Sequence, residues 1–114
     1  MTTIEFFTVG EKITGFSSKG HSGYGEAGAD IVCAAITSAI RLTERTLNDV
    51  MGVGARVKVQ EDNTRIVLEL AAGSISNMEA QSVLTGLMLH LSDLCDEYPD
   101  TVEVLEEDEP SSPF

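Results

Sequence analysis

Apolar and polar residues alternate with two different periods along this chain, and the change of period divides it into elements. Thr3-Ile4-Glu5-Phe6-Phe7-Thr8-Val9 is rich in β-branched and aromatic residues and predicts a strand. Gly10-Glu11-Lys12 predicts a turn into a second strand, Ile13 to Ser18. Gly20 to Gly28 holds four glycines in nine residues, which predicts a loop.

From Asp30 to Val50 the period becomes helical. Val32, Ile36, Ile40, Leu47 and Val50 share one side, and Thr37, Arg41, Glu44, Arg45 and Asn48 the other, with Gly52 as the stop. Val53 to Val59 and Thr64 to Leu70 predict a hairpin joined through Glu61-Asp62-Asn63. Ser76 and Glu79 have capping-box spacing, which predicts a helix N-terminus there. Leu84, Leu87, Leu91, Leu94 and Tyr98 then follow at steps of three and four. Tyr98-Pro99-Asp100 ends this helix, because proline disfavours helical geometry in the residue before it. Thr101 to Leu105 predicts a last strand.

The order ββαββαβ predicts an α+β fold, with two helices packed against an antiparallel or mixed β-sheet. Residues 1–105 are expected to form a single domain. Residues 106–114, acidic with two prolines and two serines, are expected to form a disordered tail.

Composition narrows the function. The net charge of −12 repels phosphates, which argues against direct nucleic-acid binding and favours basic partners. No apolar run reaches the length of a membrane span, and the N-terminal residues lack a signal-peptide pattern, so a cytoplasmic protein is expected. Two cysteines there should stay reduced, and two histidines are too few for a typical zinc module. Neither a metal nor any other cofactor is expected.

The candidate chemistry lies where the glycines end. Gly20-His21-Ser22-Gly23-Tyr24 precedes Cys33 by only twelve residues from the histidine, and Cys33 is expected in the first turn of the helix. A helix N-terminus carries partial positive charge, which favours the reactive thiolate. At 100° per residue Cys33 lies about 60° from the centre of the apolar stripe, on the boundary between core and polar face. With His21 folded back, the two make a nucleophile and its base. Asp30 either favours the helix dipole or orients the imidazole. His90, on the side of Leu87 and Leu94, is expected to be a packed or half-exposed structural residue. Cys95 reads as core.

Other constellations read differently. Gly23-Tyr24-Gly25-Glu26-Ala27-Gly28 is a GxGxxG string, but two hairpin strands precede it and Glu26 would repel phosphate, so it does not predict dinucleotide binding. His21, Asp30 and Cys33 match no common zinc spacing.

The histidine-loop block and Gly28-Ala29-Asp30-Ile31-Val32-Cys33-Ala34-Ala35 together resemble the ribosomal-processing cysteine protease family, Prp. The likeness extends over nearly the whole chain in length and element order. It implies that His21 and Cys33 are the catalytic dyad. It places Gly20, Ser22, Gly23, Tyr24 and Asp30 in supporting or substrate-binding positions, with Thr37 where the family often has serine. It also implies a homodimer that removes a short N-terminal extension from the basic large-subunit ribosomal protein numbered twenty-seven, cutting after an aromatic pair. The alternatives are a non-catalytic ribosome-assembly module that holds a basic protein on the acidic surface, and a small-molecule acyltransferase or thiol hydrolase.

Overall fold

The structure is a computed structural model that describes residues 1–20, 27–60 and 65–108, with the backbone alone at 27–30. Its elements are β1 (Thr2–Val9), β2 (Lys12–Lys19), α1 (Ala27–Arg45) continued by a π-helical turn (Thr46–Val50), β3 (Arg56–Gln60), β4 (Arg65–Glu69), α2 (Met78–Glu97) and β5 (Val102–Asp108). This is the ββαββαβ order that the periodicity predicts. The connection between β3 and β4 lies outside the described residues.

The five strands form one mixed sheet in the order β3-β4-β2-β1-β5. All neighbours are antiparallel except β1 and β5, which run parallel. Strand alternation puts Ile4, Phe6, Phe16 and Leu68 on one face. There they join the stripes of both helices in a single core: Val32, Ile36, Ile40 and Leu47 from the first helical segment, and Ala80, Leu84, Leu87, Leu91 and Leu94 from α2. Phe6 and Phe16 are register partners, with ring centroids 5.7 Å apart.

The opposite face carries Glu5, Ser17 and Val67 in one cross-strand row, beside the Arg56–Glu69 ion pair. Burial, then the hydrogen bond and negative charge of Glu107, push the Glu5 carboxyl above its ordinary value, while Arg65 pulls it back.

Several boundaries differ from the sequence expectation, each for a local reason. The first helix starts at Ala27, three residues early, so Gly28 is helical. At its other end Val50 is 76% exposed and leaves the predicted stripe. The Met51 N–H bonds to the Thr46 carbonyl at 2.9 Å, closing a wider turn that rotates Val50 outward. Gly52, at φ 67°, then lets the Val53 N–H reach the Leu47 carbonyl at 2.8 Å, an ending one residue wider than the Schellman motif. The second helix is capped by Asn77 and not by Ser76: Asn77 Oδ1 accepts from the N–H groups of Glu79 at 2.9 Å and Ala80 at 3.1 Å. Tyr98, 41% exposed, lies outside the core that the four leucines enter.

β5 runs to Asp108, three residues beyond its predicted end at Leu105. The register Thr8↔Asp108 uses the backbone groups that β1 would otherwise leave open on that edge. The Thr8 hydroxyl also donates to Asp108 Oδ1 at 3.3 Å. Residues 109–114 of the expected tail lie outside the described residues. No helix among the described residues is long and apolar enough to cross a membrane.

Candidate active site

Cys33 is carried by α1 and packs toward the end of the sheet where β1 begins and β2 finishes. It is half-buried, as its angular position on the helix predicts. Its Sγ lies 3.6 Å from the hydroxyl oxygen of Thr2, the first residue of β1. The two line a small cavity of about 80 Å³ with Ser18, Gly20, Ile36, Thr37 and Ile66. Thr2, Ser18 and Thr37 bring three hydroxyls to this space. Thr37 is one helical turn beyond Cys33 and on its side of α1.

The expected position in the first helical turn is corrected. Cys33 is the seventh residue of α1, beyond the four whose N–H groups lack intrahelical partners, and about 9 Å along the axis from the helix start at 1.5 Å per residue. The field of a helix terminus fades within its first turn. Activation of this thiol through the helix end is therefore not what the fold provides; the polar group beside the sulfur is the Thr2 hydroxyl.

Gly20 follows the last residue of β2 and is buried against Thr2. A Cβ at this position would stand 2.5 Å from the Thr2 hydroxyl oxygen and 3.1 Å from Thr2 Cα. Only a glycine fits so close an approach without moving β1. The sheet thus brings Gly20 and Cys33 to the same threonine. His21, Ser22, Gly23 and Tyr24 lie outside the described residues, and Asp30 is described by its backbone alone, inside α1.

Thr2 is the residue that sequence reasoning missed. It is 31 positions from Cys33, and a threonine at the head of a strand looks like any other β-former. Counting back from the turn would pair Thr2 with Lys19; the one-residue register shift between Phe7 and Thr8, which pairs Thr3 with Lys19, brings Thr2 level with Gly20, and no sequence pattern announces it.

The remaining candidates separate cleanly. Cys95 is half-buried and its thiol donates to the Val102 carbonyl at 3.0 Å, which ties α2 to β5 in a packing role. His90 is exposed rather than packed. It borders an apolar cleft between α1 and α2 of about 600 Å³, with Leu42, Val83 and Leu87 among its walls. Among the described residues no three His, Cys, Asp or Glu side chains converge as metal ligands would.

Residues 1–103 match the family model described as cysteine protease Prp. The chain has no significant sequence match among curated proteins. Its fold is similar to that of solved structures of the ribosomal processing protease Prp from S. aureus. With that protein bound to a substrate peptide the TM-score is 0.85 at 20% identity, covering 94% of this chain and all of the other. With a covalently linked product peptide the TM-score is 0.82 at 21% identity, with the same coverage. SMU.848 from Streptococcus mutans superposes with a TM-score of 0.84 at 22% identity, covering 94% of this chain and 96% of that one.

Proposed function

The chain belongs to the Prp cysteine protease family, and we propose that it is the endopeptidase that removes the N-terminal extension of the large-subunit ribosomal protein numbered twenty-seven, through a dyad of Cys33 and His21. The observation that carries this reading is the meeting of Cys33 and Gly20 around one small hydroxyl-lined cavity. His21, the base that the family resemblance implies, is the next residue in the chain after Gly20.

His21 takes the thiol proton of Cys33, and the thiolate attacks the scissile carbonyl carbon to form a tetrahedral intermediate. Collapse of that intermediate breaks the C–N bond, with His21 returning the proton to the leaving amine. Water, deprotonated by His21, then hydrolyses the thioester and restores the thiol. The S. aureus relative's covalently linked product peptide is the kind of species such a route produces. The helix-start N–H groups have no part in this scheme, since Cys33 lies about 9 Å inside α1. The net charge of −12 suits a basic substrate arriving in the cytoplasm, and the family resemblance implies a homodimer as the working form.

Mass spectrometry of the protein and of Cys33→Ala, each incubated with a peptide spanning the extension, tests this reading. A cut after the aromatic pair, seen only with Cys33 present, is the expected result. A Cys33→Ala protein that still cuts would overturn the assignment of the nucleophile.

A further inference from the structure

Thr2 is 5% exposed and held on both sides. Its N–H bonds to the Thr101 carbonyl at 3.0 Å, and its Cα is in register with Val102 of β5. Its side chain has little freedom, because Gly20 lies so close that a Cβ there would run into the Thr2 Cα, Cβ and hydroxyl. The hydroxyl that is fixed in this way points to Cys33 Sγ at 3.6 Å, within hydrogen-bond reach for the larger sulfur atom. With a neutral thiol either group can donate. Once the thiol has lost its proton only the hydroxyl can, so Thr2 is the side chain placed to donate to the attacking sulfur.

We propose that Thr2 is the positioning residue of the site: its hydroxyl donates to the Cys33 thiolate, while its buried body sets the place of Gly20. The proposal rests on the reading of Cys33 as nucleophile. It assigns to β1 the stabilising contact that the N-terminus of α1 is too distant to make. The small size of residue 20 follows from the same arrangement, since a Cβ there would displace the hydroxyl from the sulfur.

The test compares the unsubstituted protein with Thr2→Val, Thr2→Ser and Thr2→Ala. Thr2→Val exchanges the hydroxyl for a methyl of about the same size. Thr2→Ser against Thr2→Ala isolates the hydroxyl at constant loss of the methyl, and serves should Thr2→Val fold poorly. Alkylation of Cys33 by iodoacetamide at pH 7 is followed by peptide mapping, with Cys95 as internal reference, and kcat and KM are measured on the extension peptide. Thr2→Val and Thr2→Ala should slow Cys33 alkylation and lower kcat about tenfold with KM little changed, and Thr2→Ser should recover both.

Equal Cys33 rates in Thr2→Val and the unsubstituted protein would overturn the role of Thr2 while leaving the dyad intact. A loss that Thr2→Ser fails to recover would overturn it too, and mark Thr2 as a packing residue. If Cys33 of the unsubstituted protein reacts no faster than Cys95, the nucleophile itself is wrong and both readings fall.

Discussion

Gln81 of α2 pairs with both backbone groups of Ile13 in β2: its Oε1 accepts from the Ile13 N–H at 2.8 Å, and its Nε2 donates to the Ile13 carbonyl at 2.7 Å. The same Nε2 donates to the Ile75 carbonyl at 3.0 Å. Ile13 needs such a partner because β4 pairs with β2 only from Gly15 to Lys19, and the β1–β2 register also slips beside it. Phe7 faces Gly15 and Thr8 faces Ile13, so Thr14 is an extra residue in a β-bulge. Ile13 keeps its β1 partner Thr8 across the bulge, and on the other side of β2 a helix side chain supplies what β4, which pairs no further than Gly15, does not reach to supply.

Gln81→Leu keeps similar bulk but leaves these backbone groups unpaired. We expect it to destabilise the fold by about 3 kcal/mol, roughly one per hydrogen bond lost. Gln81→Glu keeps the acceptor and sets a carboxylate oxygen against two carbonyls, so its loss at pH 7 should shrink on acidification. Urea unfolding at pH 7 and pH 5 measures both. A Gln81→Leu midpoint equal to that of the unsubstituted protein would show that the clamp contributes nothing.

Asn77 and Ser76 compete for one role in the sequence, and the structure gives it to Asn77. Asn77→Ala should cost about 1 kcal/mol, the usual loss for an N-cap. Ser76→Ala should stay within about 0.5 kcal/mol, as a surface substitution. The reverse ranking in thermal melts would restore Ser76 as the cap.

Glu5 is a carboxyl whose folded-state pKa is raised, by burial first and by Glu107 second. Folding therefore favours its protonated form. That contribution is complete below its unfolded value and is lost as pH rises through the folded one. Glu5→Gln, which is neutral throughout, should raise the melting temperature at pH 7 and lose the advantage near pH 4. A gain of equal size at both pH values would point to packing instead of charge.

The elements themselves were legible because burial imposes its period on the residue types. Val32, Ile36, Ile40 and Leu47, like Leu84, Leu87, Leu91 and Leu94, are apolar at helical spacing because each points at the same sheet face. The strands of β1 and β2 announced themselves by composition in the same way. Cys33 stood out as the candidate nucleophile from the motif, and its half-buried setting was legible from its boundary position on the helix. The rest of its environment was not, since the reasoning placed it at a helix end that begins about 9 Å earlier. A helix start inside a glycine-rich stretch has no periodic mark, because glycines and alanines look alike to a hydrophobic pattern.

The sequence by itself determined which residues are apolar at which spacing, and hence the element order, the two-layer class and the cysteine's half-buried setting. Only the tertiary structure decided which strands are neighbours, that β5 extends to Asp108 along β1, that Gln81 pairs with both backbone groups of Ile13, and that Thr2 stands between Gly20 and Cys33. The physical reason is the range of the forces that leave a trace. Periodicity records what a residue faces, water or core, within a few positions of itself. A hydrogen bond across 31 or 68 positions depends on where two elements stop and how they cross, and changes nothing in the pattern of either.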